Sequence, residues 1–153
     1  MPYSLDTSAF LDAWVRYYPQ DVFPGIWDQM DRAAHSGLLL ASVEVLNELS
    51  KKDDGAHLWL KSRSVMIVQL DSEIEGHVRE IMTRYPRLVD SKKGRSVGDP
   101  FVIALARAKG LAVITGESPS GKVDVPKIPD VCNDLGIRWI GMVDFFREQG
   151  WKL

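Results

Sequence analysis

Short apolar runs alternate with amphipathic helical segments along the whole chain. "YSL" (residues 3–5), "LLLAS" (38–42), "LAVIT" (111–115) and "IRWIG" (137–141) read as buried strands. "VMIVQL" (65–70) is either a further strand or a packed loop. Between them lie "AFLDAWVRYY", stopped by Pro19, and "GIWDQMDRAAHSG", where Ile26, Trp27 and Met30 recur at helical spacing. "VEVLNELSKK" starts just after Ser42 and breaks at Asp53-Asp54-Gly55, and "GAHLWLKSR" follows as a short helix. "SEIEGHVREIMTRY", "DPFVIALARAKG", "IPDVCNDLG" and "MVDFFREQG" complete the helices. Strands too short to alternate sides, each followed by a helix, predict an α/β sandwich with a mostly parallel sheet. Trp14, Trp27, Trp59 and Trp139 are assigned to the core, and Trp151 to docking the C-terminus.

Composition narrows the class. A chain of 153 residues, 45% of them hydrophobic, matches one domain that buries a core without disulfide staples. Cys132 is the only cysteine, so no internal disulfide and no Cys/His metal framework can form. Nineteen Lys and Arg against 21 Asp and Glu give a formal charge of −2. That balance argues against bulk electrostatic binding of nucleic acid but leaves room for a local basic patch. The opening "MPYSLDTSAF" lacks a basic stretch followed by an apolar one, so no signal peptide is expected. No apolar run reaches the ~18 residues that span a membrane. A soluble chain in a reducing cytoplasm is the expectation.

In parallel sheets ligands sit beyond the carboxyl ends of the strands. The polar residues there are informative. Asp6 ends the first strand. Glu48 lies on the helix after the second strand. Asp99 opens the helix that feeds "LAVIT", and Glu117 stands two residues past Thr115. Four carboxylates in one cleft repel one another by several kcal/mol at roughly 4 Å spacing in a protein-like dielectric. The usual remedy is a hard divalent cation, Mg²⁺ or Mn²⁺, held by oxygen ligands. Each residue also has a plainer reading. Asp6 and Asp99 can be helix caps, with Pro100 at the first helical position. Ser8 can hold Asp6 or a metal-bound water, or cap the first helix. Glu44 shares a helix face with Glu48, but it falls in the first turn, where the helix dipole alone favours it. Glu117 can be a solvated loop residue.

The set resembles the PIN-domain nucleases, including the VapC-like toxins of bacterial toxin–antitoxin pairs. Asp6-Thr7-Ser8 is similar to the family's Asp-x-Ser/Asn. Ser42 with Glu48-Leu49 resembles its strand-end Ser and downstream Glu-Leu. Asp99 through Ala104 resembles its Asp-x-x-Ile-Ala helix start. Thr115-Gly116-Glu117 resembles Thr-x-Asp, with Glu in place of Asp. The resemblance runs from residue 3 to about 148. It implies a PIN-like three-layer α/β/α sandwich, one domain over 1–153, and an Mg²⁺- or Mn²⁺-dependent endoribonuclease with Asp6, Ser8, Glu48, Asp99 and Glu117 in the site. It also implies an RNA substrate, a cognate antitoxin and, in some members, a homodimer. "PDVCNDLG", "FFREQGW" and the long Tyr17–Pro24 connection depart from the common pattern and point to a PIN-like subgroup. Lys92, Lys93 and Arg95 in "SKKGR", with Lys51 and Lys52, are the candidates for RNA-backbone contact.

Other constellations are weaker. Gly116–Lys122 spells G-x-x-x-x-G-K, but Val123 stands where a P-loop needs Ser or Thr. Pro126 and Pro129 also bar an immediate helix. The segment reads instead as a mobile loop carrying Glu117. Glu73, His77 and Glu80 share a helix face that is expected to be solvated. A haloacid-dehalogenase-type phosphatase needs Asp-x-Asp, and Ser8 removes its second Asp. A silent PIN-like binding module is the remaining alternative.

Overall fold

A computed structural model describes residues 1–89, 97–122 and 124–152. Strands β1 (Tyr3–Leu5), β2 (Leu39–Ser42), β3 (Ile67–Val68), β4 (Ala112–Ile114) and β5 (Trp139–Ile140) form one sheet in the order β3-β2-β1-β4-β5. All four pairings are parallel. "VMIVQL" divides into a 3-10 turn, Ser64–Met66, and the edge strand β3. The chain moves outward from β1 to β3, then returns to the other side of β1 for β4 and β5. The strand order therefore reverses between β1 and β4, the place where parallel sheets open a binding crevice.

The helices described are α1 (Thr7–Leu11), α2 (Pro24–His35), α3 (Val43–Ser50), α4 (Asp54–Lys61), α5 (Ser72–Arg84), α6 (Asp99–Lys109), α7 (Ile128–Leu135) and α8 (Met142–Gln149). Right-handed crossovers put the helices before β3 on one face and α5 and α6 on the other. The packing agrees. α1 touches α3, and both α2 and α3 touch β2. On the far side α5 lies on α6, which crosses β1, β2 and β4. α6 is built for that place: Val102, Ile103, Ala104, Leu105 and Ala106 are all buried, as expected of a helix apolar nearly all round.

The first face is closed by aromatics. Phe10 meets Trp27 at 5.6 Å and Trp59 at 5.4 Å between ring centroids, and Trp14 meets Trp27 at 4.8 Å. Trp151 stacks on Phe146 at 5.3 Å and so docks the C-terminus. Trp14 and Trp139, both assigned to the core from the sequence, are only partly buried and pack against it. One element differs from its sequence pattern. "AFLDAWVRYY" is not one continuous α-helix: α1 passes at Asp12 into a π-helical stretch, Asp12–Tyr17. Wider π turns are often found at functional sites.

Candidate active site

Parallel register sets Leu5 of β1 beside Ile114 of β4. The next residue on each strand, Asp6 and Thr115, therefore emerges side by side at the sheet's carboxyl edge. The Asp6 backbone N–H donates to Ile114 O at 2.9 Å, and Thr115 Oγ1 donates to Asp6 Oδ2 at 2.9 Å. Ser8 Oγ donates to the same oxygen. The N–H of Gly116 donates back to Ser8 Oγ at 3.1 Å. Asp6 occupies the N-cap position of α1, yet its side chain makes no capping bond. The cap reading of Asp6 is thus set aside.

Asp99 sits at the same edge. Ser4 Oγ donates to Val102 O at 2.9 Å, pinning α6 to β1. α6 runs antiparallel to the strands. From Val102 back to Asp99 is about 4.5 Å at 1.5 Å per residue. From Ser4 on to Asp6 is about 6.6 Å, in the same direction. Asp99 is buried, 3% exposed. Gly98, not Asp99, is the N-cap of α6, and Asp99 is the first helical residue with Pro100 second. The expectation of Asp99 as cap and Pro100 at the first position is corrected by one residue.

Glu48 faces inward from the last turn of α3, 7% exposed, and accepts from Thr7 Oγ1 at 3.1 Å. Ser42 caps α3 by accepting from the Glu44 N–H. Glu44 is partly exposed, and its carboxylate accepts from Asn47. Glu117 is half-buried. Its N–H donates to Thr115 Oγ1 at 3.1 Å, and its carboxylate accepts from Ile128 N–H at 3.0 Å, at the start of α7.

The segment carrying Glu117 is not free. Asp130, in the first turn of α7, accepts from Ser120 N–H at 2.9 Å, Gly121 N–H at 3.1 Å and Lys127 N–H at 2.8 Å. Ser120 Oγ adds a fourth bond at 2.8 Å. These bonds hold the Asp130 carboxyl below its ordinary value, against the opposing effect of burial. The expectation of a mobile loop is replaced by a stapled one, because a helix N-terminus and its first-turn carboxylate tie the loop down.

Electrostatics tie these residues together. Burial pushes the Asp6 carboxyl from 3.8 up to about 6, and the charges of Glu117 and Glu48 push the same way. The Ser8 and Thr115 hydrogen bonds oppose them. Burial, with the charges of Asp6 and Glu117, raises the Cys132 thiol to about 12, so it stays a neutral, fully buried thiol. Every candidate ligand offers oxygen, and the like charges around Asp6 repel. Both properties suit a hard divalent ion. Among the described residues, no three His, Cys, Asp or Glu side chains are already gathered into a metal cage. The carboxylates of Asp6, Glu48 and Glu117 are turned instead to hydroxyl and amide donors of the protein.

Lys52 is exposed and, with Ser8 and Asp12, lines a shallow cavity of about 420 Å³; Lys51 is exposed beside it. Lys92, Lys93 and Arg95 lie outside the described residues. Away from this edge, His77 pairs with Glu73 at 4.0 Å and Glu80 with Arg107 at 3.1 Å. Three contributors were not singled out in the sequence: Thr7, Thr115 as a donor to Asp6, and Asp12. The first two lie inside the matched motifs. Asp12 carries no motif, and the π turn that aims it has no sequence signature.

The family model described as Domain of unknown function (DUF4411) matches residues 3–153. The chain belongs to that family. No curated protein matches the sequence. Among solved structures, VapBC2 from Rickettsia felis, bound to a DNA fragment from their promoter, matches at TM-score 0.56 and 17% identity. The match covers 92% of this chain and 98% of that one. DNA-bound VapBC from Salmonella typhimurium matches at TM-score 0.51 and 18% identity, with the same coverage. FitAcB from Neisseria gonorrhoeae matches at TM-score 0.51 and 12% identity, covering 90% of this chain and 96% of that one. At such identities the likeness is one of fold. This DUF4411 chain has the PIN-like α/β/α fold of those toxin–antitoxin complexes.

Proposed function

We propose that this DUF4411 protein is a divalent-metal-dependent endoribonuclease, the toxin of a toxin–antitoxin pair, built as one domain. The observation that carries the reading is the buried Asp6, set at the strand-order reversal with the charges of Glu48 and Glu117 directed at it. The fold shared with the VapBC and FitAcB structures supports the antitoxin partner, whose natural place is over this acidic edge.

In this reading Asp6, Asp99, Glu117 and Glu48 hold one or two Mg²⁺ or Mn²⁺ ions. Such an ion, held there, would supply an activated water nucleophile and a counter-charge for the departing oxyanion. Ser8 and Thr115 fix the Asp6 carboxylate through Oδ2, leaving Oδ1 outside both bonds. Thr7 does the same for Glu48. Ile128 N–H, at a helix N-terminus, donates to Glu117 and keeps its carboxylate aimed. Lys51, Lys52, Lys92, Lys93 and Arg95 are assigned to the RNA backbone, as charge neutralisation on an otherwise acidic rim requires. In-line attack at phosphorus leaves a 5′-phosphate and a 3′-hydroxyl.

The test is cleavage of a mixed RNA pool with Mn²⁺ by the parent, Asp6→Asn and Asp99→Asn. Cleavage by the parent that falls to background in both variants and in EDTA supports the reading. An Asp99→Asn protein that cuts as fast as its parent excludes Asp99. A parent that never cuts favours the silent binding module.

A further inference from the structure

A second cleft, about 440 Å³, opens beside Thr115–Ser118, on the β5 side of the acidic site. Its size lies in the range of small-molecule and nucleotide sites. Tyr17, Tyr18 and Trp139 contribute aromatic surface; Asp12, Asp144 and Arg147 contribute the charged groups. Tyr17 is 61% exposed, unusual for a large aromatic ring that serves packing alone. Trp139 is oriented by its indole N–H, which donates to Asn133 Oδ1 at 2.8 Å.

The charge pattern selects the ligand. Glu117, Asp12 and Asp144 border the cleft, and Arg147 is already paired to Asp144 at 2.9 Å. A phosphate meets more negative than positive charge there. A flat, neutral ring carrying N–H donors meets aromatic surface and acceptors. Of these three carboxylates Asp12 is the least engaged among the described residues, its ion-pair contact with Arg16 being 3.9 Å. It is held at the inner end: a Cβ on Gly116 would stand 2.8 Å from Asp12 Oδ2. So the glycine is what lets that carboxylate close on the β4 end.

We infer that this cleft is a nucleobase subsite that takes a guanine of the substrate strand next to the cleaved phosphate. The guanine stacks on Tyr17 and donates its Watson–Crick-edge N–H groups to Asp12. The inference rests on the ribonuclease reading for its substrate. Guanine presents adjacent ring and amino N–H donors, which match the two oxygens of a carboxylate. Uracil presents one N–H flanked by two carbonyl oxygens, which a carboxylate repels. Stacking alone accepts every base, so the carboxylate sets the preference.

The test uses the full chain in EDTA, titrated with guanosine and with uridine and followed by tryptophan fluorescence. No metal and no cleavage are needed, so a failed nuclease reading leaves the result legible. Guanosine is expected to bind at least about tenfold more tightly than uridine. Tyr17→Ala is expected to weaken guanosine about tenfold, the order of one lost stacking contact. Asp12→Asn, which keeps the size of the side chain, is expected to erase the guanosine–uridine difference while stacking persists. Equal affinity for both nucleosides, or variants that bind as the parent does, would overturn the subsite. So would binding of arginine amide with no nucleoside binding, which assigns the cleft to a protein side chain. If the parent cleaves RNA without base preference and binds neither nucleoside, the subsite fails while the nuclease reading stands.

Discussion

At the scale of single residues, Asp6 is the group on which both stability and the proposed chemistry turn. Its folded-state carboxyl is raised to about 6 by burial first and neighbouring charge second. Between about pH 4 and 6 the folded chain keeps a proton that the unfolded chain has released. Stability therefore falls as pH rises through that window and stays reduced above it. The shift amounts to about 3 kcal/mol at most. Asp6→Asn removes the ionisation while keeping an oxygen for Ser8 and Thr115. In EDTA at pH 8 it is expected to stabilise the protein by ~1–3 kcal/mol in urea unfolding, with the gain vanishing near pH 4. A variant less stable than its parent at pH 8 contradicts this. Thr115→Val removes one of the bonds that holds the Asp6 carboxyl down. It is expected to shift the acid limb of the pH–rate profile upward, with little change in rate at high pH. An unmoved limb would mean that Thr115 serves the fold alone. Asp6, Glu48, Asp99 and Glu117 were legible as candidates because each falls in a motif: Asp6 and Glu117 just past strand ends, Asp99 at a helix start and Glu48 on the helix after β2. Asp12 could not, since its position depends on a π turn.

At the scale of elements, α7 acts on the site from outside it. Its first turn holds the loop through Asp130, and its first N–H donates to the Glu117 carboxylate. Replacing Asp130 by Ala leaves three backbone N–H donors without their acceptor, and a loss of about 2 kcal/mol is expected. Limited proteolysis should then cut between Glu117 and Lys127, and metal affinity should fall with it. Resistance equal to the parent's would show that the loop is held by something else. Gly, Ser and Pro predominate in this segment, so the sequence alone reads as a mobile loop carrying Glu117. The acceptor that orders it lies ten residues beyond Ser120, on the next helix. By contrast β1, β2, β4, β5 and α6 were legible, because apolar runs leave few alternatives to burial, whereas the run holding β3 was left open between strand and loop. The aromatic layer on the other face was legible only in part. Trp27→Ala, at the centre of that layer, is expected to cost ~3–5 kcal/mol in chemical unfolding. A loss below 1 kcal/mol would mean that the ring cluster does not anchor α2.

At the scale of the whole molecule, the order β3-β2-β1-β4-β5 is what makes the site. Only the reversal between β1 and β4 brings residues 109 positions apart, Asp6 and Thr115, into hydrogen-bonding contact. Alternation of strands and helices announces a parallel sheet, but strand order depends on which faces the crossovers cover. That is set by packing between distant segments. No helix among the described residues is long and apolar enough to cross a membrane. As a toxin, the chain is expected to arrest growth when induced, and the Asp6→Asn form is not; equal arrest by both forms would separate toxicity from the acidic site. The most direct test of the central claim is a calorimetric titration of Mn²⁺ into the metal-free parent and into Asp6→Asn at neutral pH. Saturable binding by the parent that is lost or weakened at least about tenfold in the variant is predicted, since one of the few charged ligands is gone. Equal binding by the two proteins, or none by the parent, would contradict the account.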